Sequence, residues 1–257
     1  MPYLGYLLAQ AVKAGQTVAS ALTSAASYVT RVGGSVVELS ASAEALKSPS
    51  AGSAVFNGSS NYVQILSDGN NSAFDTQTFT IGAWVYFETT GGSDRPVWSY
   101  DYTSHNNPYY SQQIRIDSIQ NIQFFWNNSS TYQQISVGGI VTLNKWYYVT
   151  ATFKSGEQKL YVNGNVVGSS SNGDTISYYS QEVWIGRSNY AYMDGNISNV
   201  AFWSRVLTSE EIRSVMMKSY ADLSASETKG LVSWYALDDI SGTTVPDSHG
   251  NFNGTAY

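Results

Sequence analysis

From Ser53 onward, apolar and polar residues alternate with a period of two, as in half-buried strands. In FTIGAWVYFE, Phe79, Ile81, Ala83, Val85 and Phe87 alternate with Thr80, Gly82, Trp84 and Tyr86. KWYYVTATF is a second strong strand, and SAVFNGSSNYVQIL reads as two short strands around Asn57-Gly58-Ser59-Ser60. QQIRID and IQFFWN add two more, with a turn near Ser118. QKLYVNGNVVG is a hairpin, because Asn163-Gly164 suits a type I′ turn, whose two central residues need positive φ. QEVWIGR and GNISNVAFWSR complete the series. Many short strands at regular spacing predict a mainly β sandwich or jelly roll. One helix interrupts it near 208–219, in VLTSEEIRSVMMKSY. Thr208 and Glu211 form a capping box there, and Leu207 and Ile212 occupy hydrophobic-staple positions. Ile212, Val215 and Met216 supply the buried stripe.

Residues 1–50 follow a different period. Leu4, Leu7, Leu8, Ala11 and Val12 fit one helical face, and Val18, Ala21, Leu22, Ala25 and Val29 fit another. Gly15 interrupts the first face and Gly33-Gly34 ends the second. SVVELSASAEALKSP adds a further short element before Pro49. Alanine-rich helices with narrow apolar stripes are marginal alone in water. Residues 1–50 are therefore expected to be a helical docking segment that builds a homo-oligomer or a larger assembly. The simpler alternative is an extension packed on its own domain, 51–257. At the other end, within 230–257, Leu231, Ser233 and Tyr235 alternate with Val232, Trp234 and Ala236. Turn chemistry follows at Ser241-Gly242, Asp247-Ser248, His249-Gly250 and Asn253-Gly254. This tail reads as a strand that either folds back on its own sandwich or fills an edge in a neighbouring subunit. Covalent proximity favours the first.

Composition narrows the partners. The chain of 257 residues has no cysteine, and a domain of this length buries a sizeable core without disulfides. Charged residues are 12%, about half the usual share, and 20 Tyr with abundant Ser, Thr, Asn and Gln carry the polarity. A net charge of −6 repels phosphate backbones, so no nucleic acid is expected as partner. Ala14 to Thr30 is uncharged but diluted by Thr17, Ser20, Thr23, Ser24 and Ser27, so no membrane span is expected. The first residues lack a basic n-region, and Lys13 breaks their apolar run. The chain reads as soluble.

The order AVFNGSSNYVQI, FTIGAWVY, KWYYVTATF, KLYVNGNVVG, VWIGRSN, MDGNISNVAFWSRVLTSEEI resembles the laminin G-like and pentraxin branch of the concanavalin A-like sandwiches, over Ser53 to Tyr220. The resemblance implies a jelly roll of two antiparallel sheets, one concave, with loops along one rim. In many such proteins a segment similar to LVSWYALDDISGTTVPDSHGNFNG comes first; here it comes last, as a permuted strand segment. That arrangement resembles the C-terminal ends of bacteriophage structural proteins. It implies a non-enzymatic virion-associated or extracellular protein, of head-decoration or fibre type, with attachment to a surface glycan as a further role. The alternative is a carbohydrate-binding module or lectin, and a glycoside hydrolase stands behind both.

Related glucanases carry Glu-x-Asp-x-x-Glu on one strand, with both glutamates on one face. No such spacing occurs here: Glu157 and Glu182 stand alone, and Asp238-Asp239 point to opposite faces of a strand. With His105 and His249 the only histidines, neither a Cys–His dyad nor a histidine-rich zinc site is available. The protein is expected not to be an enzyme. Pentraxin-like members bind calcium through an acidic run after the IG strand, where this chain has Arg187. No cofactor is expected, with a single Ca2+ on Asp194, Asn196 or backbone oxygens as the open alternative to a plain turn at Asp194-Gly195. Candidate glycan contacts are aromatics of presumed loops, since flat rings stack on sugar faces. They are Tyr102, His105, Tyr109 and Tyr110, then Tyr178 and Tyr179, then Tyr190 and Tyr192. Ordinary structural tyrosines are the competing reading.

Overall fold

The computed structural model describes residues 28–32, 35–39, 52–66, 73–101, 110–128, 130–178 and 182–257. The chain divides into two units, Met1–Lys47 and Ser48–Tyr257. In the first, β1 (Tyr28–Val32) and β2 (Ser35–Leu39) form an antiparallel hairpin in which Val32 pairs with Ser35. Val29, expected on a helical stripe, therefore lies in a strand. YVTRV and SVVEL are rich in β-branched residues, which favour a pleated surface, and the Gly33-Gly34 between them suits a two-residue hairpin turn. The rest of the helical docking segment expected over residues 1–50, namely 1–27, 33–34 and 40–50, lies outside the described residues.

The second unit is a sandwich of two antiparallel sheets. One sheet runs β12 (Asn165–Ser170), β11 (Glu157–Val162), β10 (Trp146–Lys154), β5 (Thr78–Phe87), β14 (Asp194–Trp203) and β15 (Leu231–Tyr235), and β3 (Ala54–Asn57) also pairs with β14. The other begins with β16 (Thr244–Val245), β17 (Gly254–Ala256), β4 (Val63–Leu66) and β13 (Glu182–Ile185). It continues through β6 (Arg95–Asp101), β7 (Gln112–Ile116), β8 (Ile122–Asn127) and β9 (Tyr132–Val137). The inner set read from FTIGAWVYFE faces the other sheet: Phe79 stacks on Phe153 at 5.4 Å and Phe202 at 5.6 Å, and meets Phe124 edge-on at 6.2 Å. Aromatic pairs in these geometries add to the burial of their area. The Asn163-Gly164 turn has φ 51° and 73° with Val162 opposite Asn165, the geometry expected.

The outer face of the seven-stranded sheet is covered where β5, β14 and β15 meet. Its Trp84, Trp203 and Trp234 are fully buried beneath the segment that follows β14. Trp84 Nε1 donates to the Met216 carbonyl and Trp203 Nε1 to the Glu227 carbonyl, each at 2.8 Å. These indoles thus bury area and also satisfy carbonyls left open beyond the helix. The helix α1 (Ser209–Val215) is capped as read: Thr208 accepts from the Glu211 amide, and the Glu211 carboxylate accepts from the Thr208 amide. Gly82 makes room for the fully buried Tyr148, because a Cβ there would meet its hydroxyl.

The tail joins both sheets of its own chain. β15 pairs with the Val200–Trp203 half of β14, while β3 pairs with the Asp194–Ile197 half, so the two lie end to end on one edge. β17 then crosses to pair with β4. Asp247 holds the intervening turn. Its Oδ1 accepts from the Trp234 and His249 amides and its Oδ2 from the Phe252 amide.

Candidate functional site

Side chains on successive strand residues point to opposite faces. In the eight-stranded sheet Ile114, Phe124, Ile135 and Ile185 face the core, so their neighbours face outwards. Across that outer face Gln64, Trp184, Ser99, Gln113, Phe125 and Gln134 stand directly opposite one another, strand by strand. Arg115, Gln123 and Ser136 form a second row beside it. The large aromatics exposed among the described residues, Tyr132, Tyr190 and Tyr257, all touch this face: Tyr132 packs on Phe125, Tyr190 on Tyr110, and the Tyr257 hydroxyl donates to Gln64.

At the β7–β9 end lies a cleft of about 410 Å3 lined by Tyr110, Arg115, Asp117, Gln123, Phe125, Tyr132 and Gln134. Its polar groups are held in place. The Arg115 guanidinium lies 4.2 Å above the Phe125 ring, a cation–π contact. It donates from Nε to Gln123 Oε1 at 2.9 Å, pairs with Asp94 at 2.8 Å, and contacts the Tyr190 hydroxyl. Gln123 Nε2 in turn donates to Asp117 and Ser136, so its amide has one orientation. Asp117 also accepts from the Ile119 and Asn121 amides and from Asn121 Nδ2. The Tyr110 hydroxyl donates to Tyr190, which donates to Asp94. Burial pushes the Tyr110 phenol up to about 12, and burial pushes Tyr190 up further. Both stay neutral donors near neutral pH. Beside this fixed network the exposed Tyr132 ring, tilted against the buried Phe125 at 5.8 Å, forms an apolar face, with Gln134 exposed next to it. Such a surface can stack on a flat apolar face and hydrogen-bond the hydroxyls around it.

Of the aromatics singled out in the sequence, Tyr110 and Tyr190 meet at this cleft. Tyr102, His105, Tyr109 and Tyr179 lie outside the described residues. Tyr178 is turned inwards: its ring packs on Tyr100 at 5.5 Å, its hydroxyl donates to the Thr76 carbonyl, and burial pushes its pKa up. Tyr192 sits with Tyr62 and Arg187 toward the β4–β13 end of the same face. Asp194 and Asn196 are the first and third residues of β14, not a turn before it. Asp194 lies 3.8 Å from the Arg95 guanidinium, and Asn196 donates to Ser53. Glu157 is paired with Lys154 and Lys159. Among the described residues no three His, Cys, Asp or Glu side chains cluster as metal ligands would.

Phe125, Tyr132, Gln123, Gln134 and Arg115 were not singled out from the sequence. The signal was there: QQIRID and IQFFWN alternate apolar core residues with Gln, Arg and Phe, an outward face with unusual content. Attention to loops passed over the strands themselves, and TYQQISV was not read as a strand.

Residues 57–213 match the family described as the Concanavalin A-like lectin/glucanases superfamily. Among solved structures, the fold is similar to that of a candidate carbohydrate-binding protein from Bacteroides ovatus. The TM-score is 0.61 at 21% identity, over 78% of this chain and 57% of that one. It is also similar to the CBM40 of a Ruminococcus gnavus IT-sialidase bound to α2,3 sialyllactose, with TM-score 0.54 and 13% identity over 66% of this chain and all of that one (100%). The SAP-like pentraxin of Limulus polyphemus gives TM-score 0.50 and 16% identity, over 78% of this chain and 93% of that one. No curated protein sequence matches the chain.

Proposed function

This chain belongs to the Concanavalin A-like lectin/glucanases superfamily, and we propose that it binds carbohydrate on the outer face of its eight-stranded sheet without catalysing a reaction. The observation that carries the proposal is the β7–β9 cleft, where the exposed Tyr132 ring stands beside the Gln123 amide held in one orientation. Ligand sites of this kind combine apolar walls with a few placed polar groups. The similarity in fold to a candidate carbohydrate-binding protein and to a CBM40 bound to sialyllactose supports the same reading. A binding role also suits the carboxylates beside the cleft. Glycoside hydrolysis needs two carboxyl groups facing the scissile bond, one as acid and one as nucleophile or base. Here Asp117 accepts from two backbone amides and two side-chain amides, and Asp94 is taken up by Arg115 and Tyr190.

The head-decoration or fibre role stands behind this reading, because it draws on residues 1–50 and on the position of the tail, while the cleft is built by β7–β9. With a surface glycan as ligand, the protein would act outside the cell or on a virion. The test is a glycan array followed by calorimetry on the best ligand. Tyr132→Ala should weaken binding by about tenfold or more, as truncating a central contact does. Its melting temperature should hardly change, because the ring is 51% exposed. Binding that survives both Tyr132→Ala and Phe125→Ala would place the glycan elsewhere.

A further inference from the structure

The β4–β13 end of the outer face carries a guanidinium that the protein itself does not neutralise. Arg187 leaves the sheet directly after Gly186, whose φ is 78° and whose Cβ would strike the Phe56 ring, so the turn there is specific to glycine. A backbone bridge between Arg187 and Tyr192 closes the short turn that follows. This brings the guanidinium carbon to 4.4 Å from the Trp184 ring, 4.5 Å from Tyr62 and 5.6 Å from Tyr192. Tyr257 stacks on the far side of Tyr62 at 4.7 Å and 6°. Three aromatic faces thus hold the cation in place by cation–π attraction.

Its charge is otherwise uncompensated. Arg95, Arg115 and Arg205 are ion-paired with Asp194, Asp94 and Glu211. Among the described residues no carboxylate lies within ion-pairing distance of Arg187, and its Nε is buried without a hydrogen-bond partner. Glu182, two residues before Trp184 on the same strand face, is the carboxylate whose field reaches Arg187. Burial pushes Glu182 up, and the Arg187 charge pulls it down. In a chain of net charge −6, a guanidinium fixed among rings and left without a carboxylate is a site that an external anion would complete.

We propose that Arg187, framed by Tyr62, Trp184 and Tyr192, is an anion-binding subsite that takes the carboxylate of an acidic sugar. The carboxylate pairs with the Nη groups, because Nε is covered, and the sugar ring lies against the flanking tyrosines. A planar guanidinium suits a planar carboxylate better than an ammonium does. Trp184 and Phe125 are three strands apart along one cross-strand row, about 14 Å at the usual strand spacing. An acidic oligosaccharide could therefore span this subsite and the β7–β9 cleft. The oligosaccharide part of the proposal rests on the glycan-binding reading above; the anion site does not.

The test is an NMR titration of 15N-labelled full-length protein with glucuronate and, in parallel, glucose, following the Arg187 Nε–H signal. Arg187→Lys assigns that signal, because lysine lacks it. The expected result is a saturable shift with glucuronate, weakened by salt, and none with glucose. No shift with glucuronate, or an equal shift with glucose, overturns the proposal. Arg187→Lys should also lower the affinity for an acidic oligosaccharide about tenfold, the scale of one charge-assisted hydrogen bond, and leave a neutral one unchanged. If that variant proves unstable, the titration of the unaltered protein still decides. If glucuronate shifts Arg187 but Tyr132→Ala alters no glycan affinity, the anion site stands and the cleft reading fails.

Discussion

Replacing Trp234 with alanine probes whether the closing segment is an integral strand. The ring is fully buried on the outer face of the seven-stranded sheet, edge-on to Trp203 at 6.1 Å and tilted against Tyr220 at 6.3 Å. A buried tryptophan removes roughly 200 Å2 from water, which at ~25 cal/mol per Å2 is about 5 kcal/mol. A compact unfolded chain reduces that by about a quarter, and the lost edge-on pair adds about 1 kcal/mol. The expected cost is therefore about 5 kcal/mol, at the top of the range for Trp→Ala in cores. For a unit of this size that lowers the melting temperature by about 15 °C. Trp234→Phe should cost well under half as much. It keeps a ring against Trp203 and removes an indole N–H that is buried without a partner. Urea titrations of both variants, read as midpoint and slope, measure the difference. A cost below about 1 kcal/mol for alanine would refute the reasoning, because a ring anchoring β15 to β14 cannot be removed so cheaply.

Further outcomes follow from other parts of the sandwich. Glu227 is buried and accepts from Lys218, Ser214 and both the amide and hydroxyl of Ser224. Burial pushes its carboxyl up, but these donors win and hold it at about 2, below its ordinary 4.5. Its folded pKa is depressed, so its contribution is complete above 4.5 and is lost as pH falls toward 2. That contribution is at most about 3 kcal/mol, and the urea midpoint of Glu227→Gln should vary less with pH across this window than that of the unaltered chain. Gly195→Ala should strongly lower the melting temperature, since φ is 130° there and a Cβ would strike the Tyr86 carbonyl. A chain starting at Ser48 should keep the sandwich's thermal transition, because the second unit carries its own core. If residues 1–47 also direct assembly, that chain should have a smaller mass by light scattering.

Period and punctuation were legible in the sequence because both are local. Alternation in FTIGAWVYFE fixed which residues face the core, Asn163-Gly164 fixed a hairpin by its positive φ, and Thr208 with Glu211 fixed the start of α1. The tail was legible as a strand for the same reason, since Val232, Trp234 and Tyr235 alternate between faces within one short stretch. Its partners were not. That β15 continues the edge of β14 occupied by β3, and that β17 crosses to β4, depends on contacts between residues far apart in the chain, which local pattern does not encode. Residues 28–39 show the limit of period alone. Val29 fits a helical stripe with Val18 and Leu22, yet it lies in a strand, where it pairs with Glu38. The site was hidden for a further reason. Phe125, Gln134 and Arg115 are unremarkable one at a time, and only the register of β7, β8 and β9 sets them side by side. In the same way Arg187 and Tyr62 are more than a hundred residues apart, and only the pairing of β4 with β13 puts the ring beside the charge.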